Sequence, residues 1–106
     1  MNHLYQTILR RCQKGTELLD RVLKPQWAKR IDLDRLSLIN GSSCVLGQLY
    51  GHYTVGCEKL FGEQPGHTTL AIEHGFEMDY DYPFEGDYLA ELKENWRVII
   101  ENHQAD

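Results

Sequence analysis

The sequence predicts a mainly α-helical protein: one domain over residues 1–106, a compact bundle of three principal helices and a short fourth, with an extended connector between the first two. Three observations carry that expectation. Apolar residues recur three and four apart in three long stretches, the spacing of one face of an α-helix. Pro25, Gly41, Gly62 and Gly75 fall between the stretches, where these residue types end elements. A length of 106 residues with 42% hydrophobic and 25% charged content suits one ordinary globular core and no second one.

Each element follows from its residues. Tyr5, Ile8, Cys12, Leu19 and Val22, with Gly15 as the small position of the stripe, predict a first helix over residues 3 to about 24, capped by Asn2 and stopped by Pro25. Glu17 with Arg21 and Asp20 with Lys24 are acid-before-base pairs four apart, the favourable order on an exposed helix face. Residues 27–39 shift toward alternation at Ile31, Leu33, Leu36, Leu38 and Ile39, which predicts an extended or one-turn connector plugging the core. Asn40 and Gly41 make a turn, Ser42 or Ser43 caps a second helix running to about Phe61, and Gly62 stops it. A turn at residues 63–66 leads to two helical turns over 68–74. Residues 78–87, acidic, aromatic and broken by Pro83 and Gly86, predict a loop. Asp87 is expected to cap a last helix with Leu89, Leu92, Trp96, Ile99 and His103 at helical spacing, followed by a frayed tail from Gln104 to Asp106.

The second helix is unusual. Residues 40–62 hold five glycines, two cysteines and a histidine. Leu46, Leu49, Tyr50, Tyr53, Cys57 and Leu60 form its core face, while Gly47 and Gly51 lie beside Cys44 on a neighbouring face. An interior glycine costs a helix about 1 kcal/mol relative to alanine, so something must compensate. The expectation is a backbone seam in which another helix or the 27–39 connector lies close against Gly47 and Gly51. One straight helix cannot gather Cys44, His52 and Cys57 on one ion, because Cys44 and His52 are separated by about 12 Å of rise and Cys57 sits about 220° around from Cys44. The three cysteines, Cys12, Cys44 and Cys57, are therefore expected to be reduced and buried in a cytoplasmic protein, with no metal and no cofactor.

Other chemistries fare no better. Ser42 and Ser43 lack the closing glycine of a nucleophile elbow, since Val45 stands there. Asp79 and Asp81 begin like a calcium loop, but Pro83, Phe84 and Ala90 occupy positions that need a ligand, a glycine and a glutamate. No catalytic residues are assigned, and the chain is expected not to be an enzyme. No apolar run approaches the length of a membrane span.

Charge is the more informative feature. The net charge is −5, but residues 1–40 hold eight basic against four acidic residues, and residues 41–106 three against twelve. A basic stripe, Arg10, Lys14, Arg21 and Lys24, is diluted by Glu17, so nucleic acid is not the expected partner. The acidic pole runs through Glu73, Glu77, Asp79, Asp81, Glu85, Asp87, Glu91 and Glu94, interleaved with Tyr80, Tyr82 and Phe84. Carboxylates steer a basic surface and rigid aromatics supply contact area. The candidate partner-binding residues are Asp79, Tyr80, Asp81, Tyr82, Phe84, Glu85 and Asp87.

The run Ile31-Asp-Leu-Asp-Arg-Leu36 after Trp27, the block Cys44-Val-Leu-Gly-Gln-Leu-Tyr-Gly51, His74-Gly-Phe76 and the stretch from Tyr88 to Trp96 resemble small proteins of actinobacteria and their phages. Those proteins often carry a second cysteine three residues before the first, where this chain has Gly41, a departure that weakens a metal or redox site. The resemblance implies a phage or prophage origin and assigns no functional residue. The function expected is a non-enzymatic interaction module, a phage-encoded modulator or inhibitor of a host protein. The alternatives are a nucleic-acid contact through the first helix and a small metal or redox protein. Self-association through the glycine groove is also open.

Overall fold

Ile8, Cys12, Gly15 and Leu19 form one stripe, and all four are buried, which fixes helix α1 (His3–Leu23) on the core. The stripe is shorter than its spacing suggests, because Tyr5 and Val22 at its ends are exposed. A computed structural model describes residues 3–63 and 66–105 of the chain, so the expected cap at Asn2 and most of the 63–66 turn lie outside the described residues. After α1 come a 3-10 helix (Pro25–Arg30), α2 (Val45–Tyr50), α3 (Tyr53–Phe61), α4 (His67–Glu73) and α5 (Glu85–Gln104), with no strand among the described residues. The radius of gyration, 12.8 Å, is what a compact domain of this length should have, about 13 Å.

The chain leaves α1 through Lys24, whose φ of 69° is a left-handed value that a side chain resists. Pro25 forbids the helical continuation and sets up the 3-10 turn behind it. The connector is therefore not extended. It is the 3-10 helix followed by a series of turns, and it does plug the core, through Trp27, Ala28, Ile31, Leu36 and Leu38, whereas Ile39 is 73% exposed. Side-chain amides supply the hydrogen bonds that a strand would have found in a neighbour. Gln48 accepts from the Asp32 amide at 2.6 Å and donates to the Asp32 and Ser43 carbonyls at 3.0 and 2.9 Å. Gln104 donates to the carbonyls of Ala28 and Ile31 at 3.0 and 2.9 Å, so the tail does not fray at Gln104.

The expected second helix is two helices. Gly51, at φ 92°, turns the chain between α2 and α3, and His52 is extended. The imidazole Nδ1 of His52 accepts from the Thr54 amide at 3.1 Å and so caps α3. Cys44, not Ser42 or Ser43, caps α2, its sulfur accepting from the Gly47 amide at 3.3 Å. Gly47 is where backbones touch, although the contact is neither a helix nor the 27–39 connector: a Cβ there would collide with the Gly41 carbonyl oxygen and lie 2.7 Å from the Ser42 carbonyl carbon. The same Gly41 carbonyl accepts from the Tyr53 amide at 2.8 Å, so one turn locks both helices. Gly51 has open space around it and takes no part in the seam; it supplies the bend. Gly62, also at positive φ, ends α3 as expected.

Two tryptophans join the halves of the core. Trp27 and Trp96 are buried edge to face, with ring centroids 6.3 Å apart. Each indole N–H has an acceptor, Asp20 Oδ1 at 2.7 Å for Trp27 and the Gly75 carbonyl at 2.6 Å for Trp96. Asp20 therefore serves Trp27, and both its oxygens lie near His103 Nε2, Oδ1 at 3.3 Å and Oδ2 at 3.5 Å. Among the described residues no ion pair joins Asp20 to Lys24 or Glu17 to Arg21. Gly15 admits the chain behind α4, because a Cβ there would strike the His74 carbonyl oxygen and sit 3.1 Å from Phe76 and Trp96.

Helices α1 and α5 lie side by side and run the same way. Leu4 shares a hollow with residues 87–94, and Gln13, Thr16 and Glu17 share another with Ile99, Asn102 and His103. Among the described helices, α5 packs on α1 and the 3-10 helix. Its start differs from expectation: Phe84 is the N-cap residue, and Asp87 lies inside the first turn, where its charge favours the positive helix end without capping it.

Candidate functional site

The loop over residues 77–84 is pinned from below by one carboxylate. Asp79 Oδ1 accepts from the Asp81 amide at 3.1 Å, and Oδ2 accepts from Arg11 Nη1 at 3.2 Å. Arg11 also donates to the Tyr88 hydroxyl at 2.6 Å. Partial burial works against the Arg11 charge, but the bonds to Tyr88 and Asp79 outweigh it and hold its pKa above the ordinary value. Burial raises the Tyr88 hydroxyl, against the opposing pull of Arg11. Asp79 is thus committed to the fold. A second pin is Glu77, whose Oε1 accepts from the Met78 amide at 2.9 Å and the Tyr80 hydroxyl at 3.2 Å.

On that base the other named residues divide. Tyr80 is 59% and Phe84 62% exposed, and Asp81, Glu85 and Asp87 are exposed around them. Tyr82 is half-buried and acts as the support: its ring lies 5.5 Å from that of Tyr88 and 6.3 Å from that of Phe84. The aromatics open onto different hollows. Tyr80 borders one of about 250 Å³ with Cys44, His52, Tyr53 and Glu77. Phe84 and Tyr82 border one of about 570 Å³ with Leu4, Asp87, Ala90, Glu91 and Glu94. An exposed aromatic beside carboxylates can bind a cationic or apolar side chain.

Of the cysteines, Cys44 borders the hollow next to Tyr80 and Glu77, while Cys12 and Cys57 do not line it. All are unpaired and buried. Burial pushes the thiols of Cys12, Cys44 and Cys57 up, and nearby Glu77 adds to the shift at Cys44 and Cys57. The thiolate that metal binding or redox exchange needs is therefore disfavoured. Among the described residues no three His, Cys, Asp or Glu side chains are grouped to hold a metal ion. Arg10, Lys14, Arg21 and Lys24 are exposed, but α1 ends at Leu23 and Lys24 has left the helix, so the basic stripe is shorter than its spacing predicts.

The sequence did not point to the hollow between α1 and α5. Its apolar residues, Leu4, Tyr5, Leu9, Val98 and Ile99, flank the core stripes of two helices far apart in the chain. The signal was an apolar face wider than the core needs. The partner helix that turns such a face into a trough is a tertiary fact.

The fold and surface define a class, a mainly helical globule in which no helix among the described residues is long and apolar enough to cross a membrane. No family model, curated protein or solved structure matches the chain.

Proposed function

We propose that the chain is a non-enzymatic interaction module, a phage-encoded modulator of a host protein, and that it binds a basic protein surface through its acidic aromatic face. The observation that carries this reading is the exposure of Tyr80 and Phe84 among Asp81, Glu85 and Asp87, on a loop whose own hydrogen bonds hold it in place. Large aromatics left in contact with water add no burial to the free protein and gain it only on binding, and a preformed loop spares the ordering cost of binding. The phage origin is what the resemblance of the 31–36 and 44–51 blocks implies.

The test is capture of partners from host cells by wild type and by a Tyr80→Ser/Phe84→Ser variant whose melting matches wild type. A buried aromatic anchor contributes roughly 2 kcal/mol or more, about thirtyfold in affinity. The expected result is a partner retained by wild type, lost with the variant, and released by raised salt. Equal retention by both proteins refutes the reading.

A further inference from the structure

The hollow beside Phe84 does not end there. It shares Glu91 and Glu94 with a second hollow of about 280 Å³, lined also by Tyr5, Leu9, Asn95, Val98 and Ile99. Ile99 is shared in turn with a third of about 460 Å³ that reaches His103. The three make one trough along the outer side of the α1–α5 pair. Its lining on α5 runs from Asp87 to His103, so the trough is about 24 Å long at 1.5 Å per residue.

Its chemistry is two-part. Along the middle the floor is apolar, with Val98 44% exposed and Leu9 and Ile99 half-buried. The described lining residues include the carboxylates Glu17, Asp87, Glu91 and Glu94 and no Lys or Arg. Arg97, on α5 outside the lining, pairs with Glu94 and Glu101 and offsets part of that charge. Among the described ion pairs none involves Glu17, Asp87 or Glu91, and the basic residues Arg10, Lys14 and Arg21 of α1 lie outside the lining. Among the described residues no helix other than α1 and the 3-10 helix packs on α5.

We infer that the trough between α1 and α5 seats one amphipathic helix of the protein partner, with apolar residues at i, i+3, i+4 and i+7 and Lys or Arg on its flanks. The inference rests on the interaction-module reading and names the partner's chemistry. Two adjacent helices leave a groove in which a third can pack ridge into groove. A helix of roughly 15 to 18 residues spans the trough at 1.5 Å per residue. Its apolar stripe would cover Leu9, Val98 and Ile99, and its cations would meet Asp87, Glu91 and Glu17.

The experiment selects binders of the intact protein from a displayed library of helical peptides with randomised core and flank positions, then maps the winners by amide chemical shifts. The expected winners are cationic and amphipathic, shift Leu9, Val98 and Ile99, and lose tenfold or more in affinity against Val98→Glu. Asp87→Asn with Glu91→Gln should weaken them and reduce their salt dependence. Winners that are neutral or acidic, that map elsewhere, or that ignore Val98→Glu overturn the inference, as does an empty selection. Self-association abolished by Val98→Glu also overturns it, by making a second copy the occupant. Tyr80→Ser separates the two readings, because Tyr80 lies outside the trough. Host-partner binding that needs Tyr80 and ignores Val98→Glu leaves the loop reading standing and removes this one; trough-bound peptides with a partner indifferent to Tyr80 do the reverse.

Discussion

Gly47 shows what one missing methyl group does. Its Cα faces the Gly41 carbonyl and the Ser42 backbone, which are backbone atoms and cannot rotate away. Gly47→Ala should therefore destabilise by about 1 to 3 kcal/mol through overpacking. Gly86, in α5 with nothing near the site of a Cβ, is the control. Gly86→Ala should stabilise by up to about 1 kcal/mol, since alanine is the better helix former. Thermal melts of the two variants decide the matter, and a Gly47→Ala protein that melts like wild type would place the seam elsewhere. Cys12 makes a second prediction at this scale. Burial raises its thiol above the ordinary value of 9.0, so the folded protein keeps a proton that the unfolded chain gives up. That contribution is fully present below pH 9 and is lost as pH rises beyond it. The denaturant midpoint should hold from pH 7 to about 9 and fall above, with a shallower fall in Cys12→Ala.

Helix α5 carries the clearest lesson about elements. Its existence was legible because Leu92 and Trp96 repeat at helical spacing, and both are fully buried. Its ends were not legible: Asp87 has the right chemistry for a cap one turn too late, and Gln104 looked like tail while its amide bonds two carbonyls of the connector region. Such a bond links residues more than 70 apart in the chain, and no local pattern announces it. Gln104→Ala should cost about 1 to 3 kcal/mol, because it leaves two carbonyls in want of a donor. Hydrogen exchange should quicken in the last turn of α5 and around residues 28–31 together; quickening confined to α5 would deny the link. The α2–α3 break has the same explanation. Gly51 and the extended His52 were read as part of a continuous helix because the apolar spacing continues through them, whereas the seam at Gly41 redirects the chain.

For the whole molecule, helix content followed from periodicity, and the expectation of a mainly helical globule agrees with the fold. The arrangement did not follow. The parallel pairing of α1 with α5 brings the first and last helices together, and it creates the trough, which neither helix contains alone. The acidic aromatic loop was legible as composition, yet its division into the pinned Asp79, the supporting Tyr82 and the outward Tyr80 and Phe84 depends on Arg11 and Tyr88, which lie in other helices.

The edge-to-face contact of Trp27 and Trp96 gives the protein its own optical gauge. One indole belongs to the N-terminal half and the other to the last helix, and both are sealed from solvent. Their emission should be blue while α5 is docked and shift to the red when it departs. Ultraviolet fluorescence of the unlabelled chain thus reads whether the last helix is seated on the N-terminal half.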